Sequence, residues 1–377
     1  MKQRIITARD DYAEFDQWLR ENRCRKLLIV CGGSIRYMDG FSKHLEAVRT
    51  SGVKLVYFQD FRPNPLYESV IKGVELFRSE RCDSIMAVGG GSAMDVAKCV
   101  KLYADIPGSG ADGKWLKAET VPNDIPFAAM PTTAGSGSEA TRYAVIYYEG
   151  AKQSITSESC IPGTILMDPN ALKTLPLYQR KATMMDALCH AIESFWSVNS
   201  TEESKSCSKT AIEGVLRHME GYLANTGEGS AGMLRAAHAA GKAINITQTT
   251  AGHAMSYKIT SLFRSAHGHS AILCDRVLFP WMIGNTDKCI DPRGEEYLIR
   301  TLNEIGEAMG GRGAEDAAVK LNDIFHSLGF EVPAATEEQF ELLRNSVDPV
   351  RLKNHPIALD VDTIGFLYHQ ILNGEAK

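Results

Sequence analysis

The first part of the chain is punctuated by short, unbroken apolar runs. Residues 26–31 (KLLIVC), 53–58 (VKLVYF), 84–88 (SIMAV) and 125–131 (IPFAAMP) each read as a strand, and turn residues such as Gly32-Gly33, Pro63 to Pro65 and Gly89 to Gly91 follow. Runs that do not alternate with polar residues suit strands buried on both faces of a parallel sheet. Segments 66–80 and 94–104 between them carry a helical period, so the alternation predicts a parallel sheet wrapped by helices. From about Pro176 the character changes to Ala-, Leu-, Glu- and Lys-rich helical patterns, as at 203–225, 233–243, 314–328 and 336–347. The expected architecture is an α/β domain over residues 1–175 and an all-helical domain over 176–377.

Composition narrows the class. The 377 residues include 41 Lys and Arg against 46 Asp and Glu, a net charge of −5, which excludes a broad basic surface for nucleic acid. An apolar fraction of 44% with 23% charged residues excludes a disordered or fibrous chain. The first ten residues lack the apolar core of a signal peptide, and no run approaches the roughly 18 apolar residues of a membrane span. Nine scattered cysteines without a Cys-x-x-Cys pair fit neither a zinc ribbon nor a redox motif. A cytoplasmic enzyme acting on a small molecule is the expectation.

Three glycine-rich turns follow predicted strands. In Gly89-Gly90-Gly91-Ser92-Ala93-Met94-Asp95 the spacing predicts Ser92 as the N-cap of a helix and Asp95 as its capping-box partner. Glycines there let backbone amides approach a phosphate at a helix N-terminus, although an ordinary strand-to-helix turn has the same pattern. Cys31-Gly32-Gly33-Ser34-Ile35-Arg36 repeats the arrangement, and residues 131–139 (PTTAGSGSE) add hydroxyls suited to a pyrophosphate or ribose. Together they set phosphate-friendly groups at the carboxyl ends of one sheet, where open α/β sheets bind nucleotides.

The second half carries candidate metal ligands. Asp186 and His190 lie four apart on a predicted helix and so share a face. His253 follows among small residues, and His267 lies fourteen residues later in a short break before Gly268 and His269. Each histidine alone fits a satisfied core or surface residue. Jointly, one carboxylate and three imidazoles suit Fe²⁺ or Zn²⁺. His269 reads either as a support for His267 or as a helix cap.

Residues 89–95, 131–139, 186–193 (DALCHAIE), His253 and His267-Gly268 resemble, in order and spacing, the iron-dependent alcohol dehydrogenases. The resemblance implies a dehydroquinate synthase-like fold with cofactor and metal facing each other across an interdomain cleft, and a homodimer. It makes Asp186, His190, His253 and His267 the metal ligands of an Fe²⁺ site, with Zn²⁺ as the alternative occupant. Gly90, Gly91, Ser92, Asp95, Thr132, Thr133, Ser136 and Lys152 would line the dinucleotide. Relatives preferring NAD often carry an acidic residue where this chain has Gly32, so Ser34 or Arg36 could receive a 2′-phosphate, and NADPH is favoured over NADH. Many relatives carry histidine where Tyr257 stands, so a histidine relay is not expected here, and the proton would arrive through metal-bound water, Tyr257 or a solvent chain.

Residues 241–258 resemble the phosphonoacetaldehyde reductase branch, which implies reduction of a dianionic aldehyde to 2-hydroxyethylphosphonate. Lys258, and Arg264 if the helix ran on, are the nearest cations to receive the phosphonate, although both also read as solvated positions. The alternatives are a dehydrogenase for another small alcohol or aldehyde of the lactaldehyde, propanediol or butanol type, and a metal-dependent lyase of the dehydroquinate synthase type. A metal-free nucleotide-binding scaffold is a third, which four retained ligand-type residues disfavour.

Overall fold

The computed structural model describes residues 3–8 and 11–373. Two compact units emerge. One comprises the chain up to Thr133 and Gly137–Leu175, and the other Ala134–Ser136 and the chain from Pro176 on.

The first unit contains strands β1 (Arg4–Thr7), β2 (Lys26–Cys31), β3 (Lys54–Phe58), β4 (Ser84–Gly89), β5 (Phe127–Pro131), β6 (Tyr143–Tyr148), β7 (Ala151–Thr156) and β8 (Thr164–Met167). Its helices are α1 (Ala13–Glu21), α2 (Asp39–Thr50), α3 (Tyr67–Ser79) and α4 (Gly91–Tyr103). Six strands form one sheet in the order β1-β8-β5-β4-β2-β3, every pairing parallel. The apolar runs are continuous because both faces are covered. Leu27, Ile29, Met86, Val88, Ala128 and Met130 join Phe15, Trp18, Phe41 and Leu45 of α1 and α2 in one core. Leu28, Val30, Ile85, Ala87 and Ala129 alternate to the other face and are equally buried, and α4 packs against β4 and β2. The four expected strands are β2 to β5, with Ile125 and Pro126 lying ahead of β5. The short strands β1 and β8 and the antiparallel pair β6–β7 add to them. Glu149 (φ 50°) and Gly150 (φ 76°) close that pair through a turn with two left-handed residues, the geometry that matches strand twist in a two-residue hairpin.

The second unit is helical: α5 (Leu177–Trp196), α6 (Glu202–Leu223), α7 (Gly227–Thr247), α8 (Ala251–Phe263), α9 (His267–Ile283), α10 (Glu295–Ala308), α11 (Ala314–Ser327), α12 (Glu337–Arg344), α13 (Pro349–Leu352) and α14 (Val361–Asn373). Helix α5 packs against α6, α7 and α9, and α8 against α9. From Ala182 to Trp196 all of α5 but Thr183 is buried. A helix so enclosed must find partners for every polar side chain it carries, and this one carries Asp186, His190 and Glu193. Among the described residues no helix is long and apolar enough to cross a membrane.

Candidate functional site

Three helices supply one polar cluster in the second unit. Asp186 projects from the middle of α5, His253 from the first turn of α8, and His267 is the first residue of α9. One ligand atom from each of these three lies within 4.8 Å of the others. Asp186 Oδ1 is 3.5 Å from His253 Nε2 and 3.8 Å from His267 Nε2. His190, one turn after Asp186, falls outside that tight group. Its ring stacks on His253 with centroids 4.3 Å apart. Asp186 Oδ1, His190 Nδ1 and His253 Nε2 are buried and have no hydrogen-bond partner among the described residues. Buried polar atoms are rarely left so without a ligand. Converging on one point, a carboxylate with imidazole nitrogens is a donor set that fits a divalent iron or zinc ion.

The electrostatics agree. Burial opposes ionisation of Asp186, but the imidazoles of His190, His267 and His253 outweigh it and hold the carboxyl well below the usual range. Burial also pulls the His253 imidazole down, yet Glu193 and Asp186 beside it hold it well above its ordinary value. His190 is pushed down to about 4, chiefly by burial, and so is neutral and able to coordinate at neutral pH.

Glu193 organises this cluster. It is fully buried on α5, one turn beyond His190, and its carboxylate accepts from Nδ1 of His253. The same carboxylate accepts the backbone N–H groups of Thr250 (2.6 Å) and His253 (2.9 Å) and the Thr250 hydroxyl (2.6 Å). Thr250 is the N-cap of α8 but makes no side-chain cap of its own, so Glu193 caps that helix from outside. With Nδ1–H held by Glu193, the Nε2 lone pair of His253 would be the one left for a metal ion shared with Asp186. Asp275 of α9 sits behind, fully buried, and burial and the Glu193 charge push its carboxyl well above the ordinary range. A Cβ on Gly252 would fall 1.8 Å from its Oδ1, so only glycine lets α8 approach there.

The connections place the other ligand. Helix α8 ends at Phe263, and Arg264 is its left-handed C-cap (φ 54°). The helix therefore does not run on, and the expected continuation of Arg264 along the face of His253 fails. Residues 265–266 lead directly into α9, where Ala266 N–H donates to the Tyr178 hydroxyl at 3.0 Å. His269 is a packing residue. It bonds Tyr178 Oη (3.0 Å) and the Glu331 carbonyl (2.9 Å) and stacks on Phe330. Tyr257 stacks on His267 with centroids 5.4 Å apart and planes 4° from parallel, while Lys258 occupies the next, half-buried position of α8.

In the first unit the expected turns sit at adjacent strand ends. Gly32 and the exposed Ser34 follow β2, Gly90, Gly91 and Ser92 follow β4, and Thr132 and Thr133 follow β5, three neighbouring strands. Thr132 N–H donates to the Gly89 carbonyl at 3.0 Å, tying two of the turns together. A Cβ on Gly89 would meet Ala93 at 2.5 Å, and one on Gly90 would meet Thr133 Oγ1 at 3.1 Å, so the turn is tight at both positions.

The expected capping box is absent. Gly90, extended at φ −84° and ψ −165°, is the N-cap, and Ser92 lies within the first turn of α4. The chain enters the helix two residues earlier than the hydroxyl pattern suggests because glycine reaches that geometry without a side chain. Asp95 instead accepts from Ser138 Oγ at 3.2 Å. Burial pushes its carboxyl up to about 6 against the pull of the Lys98 and Lys152 ammonium groups. Lys98, which the sequence did not single out, is fully buried, and its three ammonium protons are shared among four oxygens: the Ser138 carbonyl (2.6 Å) and hydroxyl (3.0 Å), Thr141 Oγ1 (3.0 Å) and the Tyr143 carbonyl (2.7 Å). It holds the loop after β5 against α4. Ser136 groups with the second unit, where neighbouring Gly135 packs on Thr183 of α5.

Comparison with known proteins gives the class. Residues 2–169 match the family model of iron-containing alcohol dehydrogenases, and residues 181–371 match that of the C-terminal part of the Fe-containing alcohol dehydrogenase family. The chain is 29% identical over 314 residues to phosphonoacetaldehyde reductase of Streptomyces viridochromogenes, covering 80% of this chain and 79% of that one. It is 30% identical over 353 residues to alcohol dehydrogenase 4 of Schizosaccharomyces pombe, covering 93% and 76%. Its structure is similar, at a TM-score of 0.87 and 26% identity, to the sulfoacetaldehyde reductase from Bifidobacterium kashiwanohense in complex with NAD+, covering 99% and 98%. The chain belongs to the iron-containing alcohol dehydrogenase family. It is an NAD(P)-linked oxidoreductase of alcohols and aldehydes.

Proposed function

We propose that this protein reduces a small aldehyde bearing a negatively charged head, of the phosphonoacetaldehyde type, with NADPH as the favoured reductant. The observation that carries the reading is the convergence of Asp186, His253 and His267, with His190 stacked alongside and Glu193 fixing His253. The likeness to a phosphonoacetaldehyde reductase and a sulfoacetaldehyde reductase supports an anionic substrate.

Asp186, His190, His253 and His267 would hold the metal, and Gly32, Ser34, Gly90, Gly91, Ser92, Asp95, Thr132, Thr133, Ser136 and Lys152 are the residues proposed for the dinucleotide. When bound, the divalent iron supplies a Lewis acid for the substrate oxygen and the nicotinamide supplies hydride. The chain's own part is preorganisation. Glu193 keeps Nε2 of His253 aimed, Asp186 adds the one negative charge among the four donors, and the backbone amides of the Gly90–Gly91 turn are proposed to receive a phosphate. Tyr257, whose Oη accepts from Arg351 at 3.2 Å, is the side chain proposed to pass a proton to an alkoxide. The absence of a carboxylate at Gly32 supports NADPH. Zn²⁺ is the alternative metal, and the nine free thiols suit a reducing cytoplasm, in which we place a homodimer.

The test is an anaerobic Fe²⁺-loaded assay of NADPH and NADH against phosphonoacetaldehyde, propionaldehyde and lactaldehyde. A kcat/KM at least tenfold higher for phosphonoacetaldehyde supports the reading. Faster turnover of the neutral aldehydes removes the phosphonate assignment, and no metal in the purified protein removes the metalloenzyme.

A further inference from the structure

The sequence offered Lys258 and Arg264 for the substrate's charge, but the second unit puts a different cation beside the ligand cluster. Arg351, on the short helix α13, lies 94 positions from Tyr257 in the chain, yet its Nη1 donates to Tyr257 Oη at 3.2 Å and its guanidinium carbon lies 5.0 Å from the centre of that ring. Tyr257 in turn stacks on His267. The contacts therefore run from His267 through an aromatic ring to a guanidinium, whose carbon lies within 10.4 Å of the imidazole centre. The Arg351 side chain is 29% exposed, and its Nε is 4.0 Å from Asp348 Oδ2. Asp348 also caps α13 by accepting from Val350 N–H at 2.9 Å, which fixes the base of the arginine. Nη2 has no hydrogen-bond partner among the described residues. A guanidinium held at two points with one edge uncommitted is the donor geometry that takes two oxygens of a tetrahedral oxyanion at once.

We infer that Arg351 is the specificity-determining residue that receives the anionic head of the substrate, a phosphonate or sulfonate two or three atoms from the aldehyde carbon, with Tyr257 positioning it. The inference rests on the proposed aldehyde reduction. A neutral aldehyde has no anionic head for Arg351 to receive.

The test uses metal-loaded protein and ethylphosphonate as a probe, titrated calorimetrically without nucleotide, alongside steady-state reduction of phosphonoacetaldehyde and propionaldehyde. R351Q is expected to weaken ethylphosphonate binding at least thirtyfold and to raise KM for phosphonoacetaldehyde by a similar factor. The KM for propionaldehyde and the bound metal should stay within twofold of wild type. R351K, which keeps the charge but loses the fork, should fall between, and Y257F should weaken binding less than R351Q. Absence of ethylphosphonate binding to the wild type, unchanged binding in R351Q, or equal losses with both aldehydes overturns the inference. A wild type that binds ethylphosphonate through Arg351 but reduces no aldehyde upholds the anion site while removing the proposed reaction, so the two failures are distinct.

Discussion

Gly268 offers the sharpest test of the ligand geometry. It follows His267 in the first turn of α9, and a Cβ there would stand 1.9 Å from the Ala182 carbonyl oxygen and 2.7 Å from both the Cβ and the backbone nitrogen of Asp186. Both obstacles are backbone or Cβ atoms of a buried helix, so no side chain can swing away. For G268A to reach an ordinary contact of about 3.4 Å, the start of α9 must retreat from α5 by about 1.5 Å, many times the roughly 0.2 Å within which metal–ligand distances hold. His267 rides on that turn and moves with it. Disturbing only a residue that supports a ligand typically costs 10–100-fold in metal affinity, so displacing a ligand should cost at least about 100-fold, or about 2.7 kcal/mol. Competition against a chromophoric chelator, with metal content measured after gel filtration, reads the effect. Gly306→Ala is the matched control, since its Cβ would meet the Gly313 carbonyl oxygen at 2.0 Å between α10 and α11, away from the ligands. It should lower the melting temperature and leave metal affinity intact. Wild-type affinity in G268A, or an equal loss in G306A, would show that the α5–α9 approach does not set the site.

Three further substitutions probe the surroundings. Glu193→Gln keeps the shape but loses the charge that holds Nδ1–H of His253; metal affinity should drop by roughly 10–100-fold, and chelator competition giving less than a threefold change would contradict the role of Glu193. His355 is fully buried with neither ring nitrogen bonded among the described residues, and burial pushes it down to about 4. Its folded pKa lies below the unfolded value near 6.5, so its contribution is complete above pH 6.5 and is lost as pH falls toward 4, up to about 3 kcal/mol. His355→Leu should flatten that fall in urea midpoints between pH 7 and 4.5, and an unchanged slope counts against it. Gly32 has no atom within 4 Å of a built Cβ and an ordinary φ of −80°, so Gly32→Asp is tolerated sterically. It should shift the kcat/KM ratio of NADPH to NADH toward NADH by at least tenfold; an unchanged ratio places the 2′-phosphate elsewhere.

The parallel sheet was legible because its central strands are buried on both faces and so read as unbroken apolar runs. Strands β1 and β8 were not, since four residues each give no pattern, and β6–β7 has half-buried flanks without clean alternation. Asp186 and His190 were legible through helical spacing. Glu193 could have been found the same way, as a carboxylate one turn beyond His190 on a helix otherwise built to be buried. Arg351 could not, because nothing local connects position 351 with 257. The Ser92 cap misled because hydroxyl spacing describes only neighbours, whereas Asp95 answers to Lys98, Ser138 and Lys152 brought in by the fold.

The double duty of Glu193 has a spectroscopic consequence. Its carboxylate receives two backbone amides of α8 as well as the ring N–H of a proposed ligand. The amide protons of Thr250 and His253 therefore sit in the field of whatever charge the ring carries. Their chemical shifts and exchange rates are built-in reporters of occupancy, readable in protein that carries no added label at the centre itself.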